Sequence, residues 1–369
     1  MNYTCSAIDS GLFIYTNGDV KTCCAGHPSF GNIKEKTLDE IFKSKKYIEI
    51  QSTISANKPH AYCQTCYNID AIAPNRSQMY AFNNMYPSIG KRETKQIDIR
   101  WSNTCNLSCR YCTAHDSSEW AKLHKIKLET VDRDYFQSVF EEIKRSKDTI
   151  NSVYLLGGEP LLQKQNIELL DIVNPNVTID ILTNLSTKLE NNLVYKKLIK
   201  FENVSWHLSF DNIGEQFEYV RHGASWKTFT ENLYKLFNDV GHRKVNFHPV
   251  YSIWSCLHLE EFYNLAAQHG INVNWQLAQP KAEVSELDTD SFQVFGQKSK
   301  LIERAIEVID RLDTKNEGLI GIKKNLLKDI EVPGKTQEFL DWTDKMEKFM
   351  PPIKSFKDLW PETYRLLTN

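Results

Sequence analysis

The sequence predicts an α/β protein: a curved or partial barrel of six parallel strand–helix units, with a small cysteine-bearing hairpin-plus-helix domain before it and a helical C-terminal tail after it. Three observations predict this. From about residue 95, short apolar or β-branched runs alternate with longer amphipathic stretches, the pattern of βαβ units and a parallel sheet. Eight of the nine cysteines fall within the first 112 residues, leaving Cys256 alone beyond them. After about Ser291 the chain reads as polar and helical.

The first unit opens with a β-hairpin. Leu12–Tyr15 and Val20–Cys23 flank Asn17-Gly18, a pair favoured in a two-residue turn that needs positive φ at both positions. Thr37 followed three residues later by Glu40 is a capping box and starts a short helix through Phe42 and Lys43. Cys63-Gln64-Thr65-Cys66 closes the unit, and residues 67–94 read as a helix plus linker. The expected domains are 1–75, a linker at 76–94, a barrel at 95–285 and a helical extension at 286–369.

The barrel strands are expected at Gln96–Trp101, Ser152–Leu156, Val177–Leu182, Val204–Phe210, Lys244–Tyr251 and Asn272–Gln276. Helical patterns at Asp134–Arg145 and Thr228–Asn238 fill two of the gaps. Six units are too few for a closed eight-stranded barrel. In the tail, Leu301–Leu312 and Gln337–Met350 have helical periodicity, and Pro333-Gly334 separates them. Trp342, Phe349 and Trp360 read as packing residues.

Composition narrows the function. The chain has 369 residues, 41% of them hydrophobic and 25% charged, which is ordinary for a globular protein. Lys and Arg number 45 against 47 Asp and Glu, a net charge of −2. A near-neutral chain lacks the basic surplus that phosphate contacts need, so no nucleic-acid partner is expected. No run of about 18 apolar residues exists, so no membrane span is expected. MNYTCSAIDS lacks a basic stretch followed by an apolar run, so the expected location is the cytoplasm, where thiols stay reduced. Clustered cysteines there point to metal ligation.

The strongest motif is Cys105-Asn-Leu-Ser-Cys109-Arg-Tyr-Cys112, directly after the first barrel strand. Three thiolates on one loop can hold three irons of a cubane cluster and leave the fourth iron open to a ligand, whereas a fully ligated cluster passes electrons only. This C-x3-C-x2-C array, with Tyr111 before its third cysteine, resembles the radical S-adenosylmethionine (radical SAM) superfamily over roughly residues 95–280. The resemblance implies a partial (β/α)6 TIM-like barrel, a [4Fe–4S] cluster on Cys105, Cys109 and Cys112, and S-adenosylmethionine at its open iron.

Further residues carry the resemblance. Gly157-Gly158-Glu159-Pro160 follows the second strand and matches the motif that holds the cofactor's amino group. Glycines allow close backbone approach, and a carboxylate pairs with an ammonium. Thr183 and Asn184 end the third strand, and Ser209 and Asp211 the fourth. Arg221 follows Ser209 by twelve residues; the resemblance implies that Ser209 and Arg221 contact the cofactor's ribose and carboxylate. Leu277 and Gln279 are placed near the adenine, and His222, His248 and His258 are candidates to line the pocket.

The second cysteine set is Cys5, Cys23, Cys24, Cys63 and Cys66. Cys5, Gly18 and Cys23 form a C-x12-G-x4-C array, which resembles the SPASM/twitch auxiliary domain of the same superfamily. The resemblance implies a second [4Fe–4S] cluster on Cys5, Cys23, Cys63 and Cys66, with Cys24 a spare or a substitute for Cys23. The pattern departs from the family's in holding one cluster and in preceding the barrel. Two thiolate pairs would satisfy zinc equally well.

The chemistry implied is reductive cleavage of S-adenosylmethionine to a 5′-deoxyadenosyl radical, which abstracts hydrogen from a substrate C–H bond. An auxiliary cluster accepting the leftover electron makes the outcome oxidative, a dehydrogenation or bond formation on a peptide or small polar metabolite. The implied reductant is of the flavodoxin or ferredoxin type. Two alternatives stay open. One is a redox-neutral epimerase with Cys256 as hydrogen donor, against which stands a buried core thiol. The other is a zinc-bearing, non-enzymatic binding protein. The acidic segment Glu283–Asp290 reads as a solvated face.

Overall fold

The computed structural model describes residues 2–72, 75–86, 90–127, 131–277, 290–312 and 315–369. Gln279 and most of Glu283–Asp290 lie outside the described residues. Two compact units are found, Met1–Thr104 with Leu128–Ile181 and Leu193–Val204, and Cys105–Lys127 with Leu182–Asn192 and Ser205–Asn369.

The first unit is built on strands β1 (Gly11–Ile14), β2 (Asp19–Lys21), β3 (Gly31–Asn32), β4 (Gln96–Ile99), β5 (Ser152–Leu155) and β6 (Thr178–Thr183, its last two residues counted with the second unit), in the order β3-β2-β1-β4-β5-β6. β4, β5 and β6 run parallel, as the strand–helix alternation predicts. Their registers place Asp98, Tyr154 and Asp180 side by side on one face. On the other face Ile97, Ile99, Val153, Leu155, Ile179 and Ile181 are fully buried. Side chains alternate between faces along a strand, so one face is the apolar core and the other is half-buried and polar. The helix Gln137–Arg145 buries Val139, Phe140 and Ile143, and Trp101 stacks on Phe140 at 5.1 Å.

The N-terminal hairpin departs from expectation twice. β1 also pairs in parallel with β4, Gly11 opposite Gln96 through Ile14 opposite Ile99. All four β1 residues are buried, so this strand is central and not an edge. The turn spans Thr16, Asn17 and Gly18, closed by Tyr15 N–H to the Asp19 carbonyl at 3.0 Å. Gly18 has φ +92° while Asn17 stays at negative φ. The Asn17 side chain accepts from Asp19 N instead (3.0 Å), an Asx turn that leaves one positive-φ position for glycine. The Thr37/Glu40 capping box forms as read, and caps Leu38–Phe42. Within the stretch expected as linker lies the helix Gln78–Met85, capped by Ser77.

The second unit holds β7 (Val204–Leu208, its first residue counted with the first unit), β8 (Val245–Phe247) and β10 (Asn272–Val273) as parallel neighbours, with β9 (Val250–Tyr251) and β11 (Gln276–Leu277) as a separate parallel pair. Each expected barrel strand is therefore present, the fifth and sixth each split in two. Among the described residues no pairing closes either set of strands into a barrel. The tail forms helices at Ser299–Arg311, Glu317–Leu326, Lys335–Phe349, Phe356–Leu359 and Pro361–Thr368. Trp342 and Trp360 are buried, and Trp360 Nε1 donates to the Trp254 carbonyl at 2.7 Å. Phe349 packs edge-on against the His124 ring at 5.4 Å but is 39% exposed. No helix of the described residues is long and apolar enough to cross a membrane.

Candidate active site

In the second unit the Cys105–Cys112 loop is held by the helix that follows it. Ser117 caps Ser118–Leu123 by accepting from Trp120 N at 3.2 Å, and it donates to the Leu107 carbonyl at 2.6 Å. Ser118 Oγ accepts from Cys105 N and donates to the Cys105 carbonyl, both at 3.1 Å. Trp120 Nε1 donates to the Cys109 carbonyl at 2.5 Å. On its other side the loop pairs with the chain leading to Arg221: Arg110 N donates to the Val220 carbonyl and Ser108 N to the His222 carbonyl (2.8 and 3.0 Å). Arg110, fully buried, spends Nε on Tyr219 O and Nη2 on Met350 O. These anchors fix the backbone that carries the three thiols.

Nitrogen donors are aimed at the sulfurs of Cys109 and Cys105. Arg221 Nη1 lies 3.8 Å from Cys109 Sγ, and Asn184 Nδ2 lies 3.8 Å from Cys105 Sγ. Asn184 also donates to Asn106 Oδ1 at 3.0 Å. Arg221 is nearly enclosed, with Asp211 at 3.2 Å. Burial works against its charge, but Asp211, Tyr111 and the cysteines outweigh that and raise its proton affinity. Burial raises the Cys109 thiol, and Arg221 pulls it back. Asp211 takes Tyr111 Oη at 2.7 Å and Val250 N at 2.7 Å besides Arg221, so it anchors Tyr111 and Arg221. Donors around a thiolate set are what an iron–sulfur site needs, since hydrogen bonds to sulfur set the cluster potential.

Ser209 is half-buried, its N–H on the Thr183 carbonyl at 2.9 Å. Thr183 is buried and accepts from Leu185 N. Leu277 sits opposite Tyr251 at the β9–β11 pair. His222 and His248 are half-buried, and His258 lies 3.9 Å from Glu261. Cys256 is fully enclosed; its Sγ donates to the Ile253 carbonyl at 3.5 Å, and burial raises its thiol far above the usual range.

In the first unit, Gly157 and Gly158 pack on the backbone just before Cys105. Gly157 has φ +122°, which excludes most side chains. A Cβ on Gly158 would stand 2.3 Å from the Thr104 carbonyl oxygen. The close approach these glycines permit is thus to the chain's own strand exit. Glu159, 1% exposed, donates from N to the Thr104 carbonyl at 2.8 Å and accepts Leu161 N on its carboxylate at 3.1 Å. Pro160 is buried beside it.

Cys5, Cys23, Cys63 and Cys66 line one cavity of the first unit, with Tyr62 among its walls. Burial, then neighbouring cysteines, push the Cys63 thiol up to about 11 and raise Cys5 and Cys23 as well. Four thiols that repel one another when ionised need a positive centre to hold them as thiolates. Among the described residues no three Cys, His, Asp or Glu side chains are arranged around a single metal ion. The four thiols line the same cavity, and thiolate donors of this kind are what an iron–sulfur cluster takes. Cys24 is exposed and does not line this cavity. Residue patterns gave no sign of the supporting roles of Trp120 and Arg110. The Ser117-Ser118 pair, a cap signal just past the third cysteine, was the one local clue.

Comparisons with known proteins follow this division. The SPASM family, an iron–sulfur cluster-binding domain, matches residues 5–67, and the radical SAM superfamily matches residues 99–254. A 7-carboxy-7-deazaguanine synthase from Clostridium acetobutylicum is 34% identical over 107 residues, 28% of this chain and 44% of that protein. The chain thus spans less than half the length of this curated relative. Among solved structures, anSMEcpe with bound AdoMet aligns at 19% identity and a TM-score of 0.44 over 59% of each chain. Streptococcus suis SuiB bound to precursor peptide SuiA aligns at 17% identity and a TM-score of 0.43, over 86% of this chain and 71% of that one. The two family matches together span more than half of the sequence and fall on the two cysteine sets, so the chain belongs to the radical SAM superfamily and carries an N-terminal SPASM domain.

Proposed function

We propose that this enzyme oxidises a peptide or small polar substrate by hydrogen abstraction, with Cys105, Cys109 and Cys112 holding one [4Fe–4S] cluster and Cys5, Cys23, Cys63 and Cys66 another. The observation that carries the reading is the pair of nitrogen donors, Arg221 and Asn184, on the sulfurs of Cys109 and Cys105. When bound, the first cluster and S-adenosylmethionine supply a 5′-deoxyadenosyl radical, and the protein's part is orientation and exclusion of water.

Arg221 keeps a charged fork where a carboxylate can be received, because Asp211 and Tyr111 hold it there. Gly157, Gly158, Glu159 and Pro160 are assigned the cofactor's amino group, Ser209 its ribose and Leu277 its adenine, with Thr183 and Asn184 as further cofactor-binding residues. A second cysteine cavity favours the oxidative outcome, since a fully ligated cluster can accept an electron. The enclosure of Cys256 tells against its use as a hydrogen donor.

The test is anaerobic incubation of reconstituted protein with S-adenosylmethionine and dithionite, followed by chromatography for 5′-deoxyadenosine. Formation by the wild type and none by a Cys105, Cys109 and Cys112 triple alanine variant supports the reading. No 5′-deoxyadenosine from fully iron-loaded wild type overturns it.

A further inference from the structure

We propose that Asn232, on the helix Trp226–Val240, is a positioning residue for the cluster loop: it clamps a strained turn that aims Asn184 at Cys105 Sγ, and so raises the potential at which a cluster there is reduced. This rests on reading the Cys105–Cys112 loop as the seat of a [4Fe–4S] cluster. All the residues concerned belong to the second unit.

The turn spans residues 183–186, at the end of β6. Leu185 there has φ +51° and is fully buried. In this left-handed conformation a Cβ crowds the following carbonyl oxygen, so a leucine stays in it only where its surroundings force it to. Leu185 N donates to Thr183 Oγ1 at 3.0 Å. Asn232 Nδ2 donates to the Leu185 and Thr187 carbonyls, each at 2.8 Å. Asn232 is itself buried. Buried carbonyls need partners, and this one amide serves two of them. An apolar side chain at 232 would strand both and let the turn relax.

The turn decides where Asn184 points. Ser186 N donates to Asn184 Oδ1 at 2.9 Å, and Ser186 Oγ to the Asn184 carbonyl at 3.1 Å. With its oxygen held by Ser186, the amide turns its nitrogen to the cysteine loop, 3.0 Å from Asn106 Oδ1 and 3.8 Å from Cys105 Sγ. Asn106 Nδ2 donates back to the Ser186 carbonyl at 3.3 Å, so turn and loop clasp each other. A hydrogen bond to a cluster's sulfur favours the reduced, more negative state and thereby raises the potential. Partners beyond the ligand set the aim of such a bond, and here the last of them is Asn232.

The experiment is a redox titration of the iron-loaded full chain with titanium(III) citrate, followed by electron paramagnetic resonance. Titanium(III) gives one electron to each cluster, and no bond is made or broken. The cluster with an open iron is recognised by the change in its signal on adding S-adenosylmethionine, and the other cluster serves as internal control. Asn184→Leu should shift the oxidised-to-reduced ratio at a fixed potential about tenfold towards oxidised, a midpoint lower by about 59 mV for a one-electron couple. Asn232→Leu, and the milder Asn232→Ser, should move the midpoint the same way. Asn184→Leu with Asn232→Leu should go no further than Asn184→Leu alone, because Asn232 acts through Asn184. Leu236→Ala, a loss of packing on the same helix, should leave the midpoint unchanged, as should every variant for the control cluster. An unchanged midpoint in both Asn232 variants, an additive shift in the double variant, or an equal shift in Leu236→Ala overturns the proposal alone. A wild type without any signal that responds to S-adenosylmethionine overturns the cluster reading, and the proposal with it.

Discussion

Arg221 reaches Cys109 Sγ at 3.8 Å with one guanidinium nitrogen while another lies 3.2 Å from an Asp211 carboxylate oxygen. The pair is almost fully enclosed, 5% and 1% exposed at the side chains. A buried ion pair adds little net stability by itself, but removing one partner strands the other charge. Arg221→Leu should therefore cost ~3–5 kcal/mol in urea unfolding of the cluster-free chain. Adding Asp211→Asn should restore much of that loss. Equal stability of the single and double variants would show that the two charges are not coupled.

Gly158→Ala should act through the backbone before Cys105. Its Cβ would stand 2.3 Å from the Thr104 carbonyl and 2.6 Å from that of Asn103, and backbone oxygens cannot swing aside. We expect a stability loss of ~1–3 kcal/mol, as for overpacking, and lower iron retention on the neighbouring loop. Thermal unfolding and iron analysis test both.

Cys23 and Cys24 are adjacent in sequence yet differ in placement. Cys23 lines the cavity of Cys5, Cys63 and Cys66, and Cys24 does not. Cys23→Ala should lose about four irons, one cubane, while Cys24→Ala keeps them. The opposite pattern would make Cys24 the ligand.

His248 gives the acid side of the stability profile. Burial, then His207 and Arg221, lowers its pKa to about 4 from 6.5. Between those values the unfolded chain binds a proton that the folded chain does not, so stability falls as pH drops from 6.5 towards 4. His248→Gln should flatten the slope of unfolding free energy against pH in that window by up to about one proton. An unchanged slope would show that His248 titrates alike in both states.

Much of this architecture was legible because its signals are local. The six barrel strands carry their own apolar runs, and the cysteine spacings carry their own chemistry. What stayed hidden is set by partners far along the chain. β1 reads as one arm of a hairpin, yet its second neighbour, β4, begins 82 residues after β1 ends. The Asn17-Gly18 turn looked like a two-residue loop until Asn17 spent its side chain on Asp19 N. Phe349 has a core residue's chemistry, and only the end of its helix leaves it in solvent. Glycines at 157 and 158 read as room for a ligand; their close packing on Ser102–Thr104 as well depends on a segment some 55 residues away and left no local sign.

The central claim is that each cysteine set holds its own cubane. The most direct measurement is iron and sulfide content after anaerobic reconstitution, for the wild type and for the triple alanine variant of Cys105, Cys109 and Cys112. We predict about eight irons per chain in the wild type and about four in the variant, four being one [4Fe–4S] centre. About four irons in the wild type with none left in the variant, or zinc in place of iron at Cys5, Cys23, Cys63 and Cys66, would contradict it.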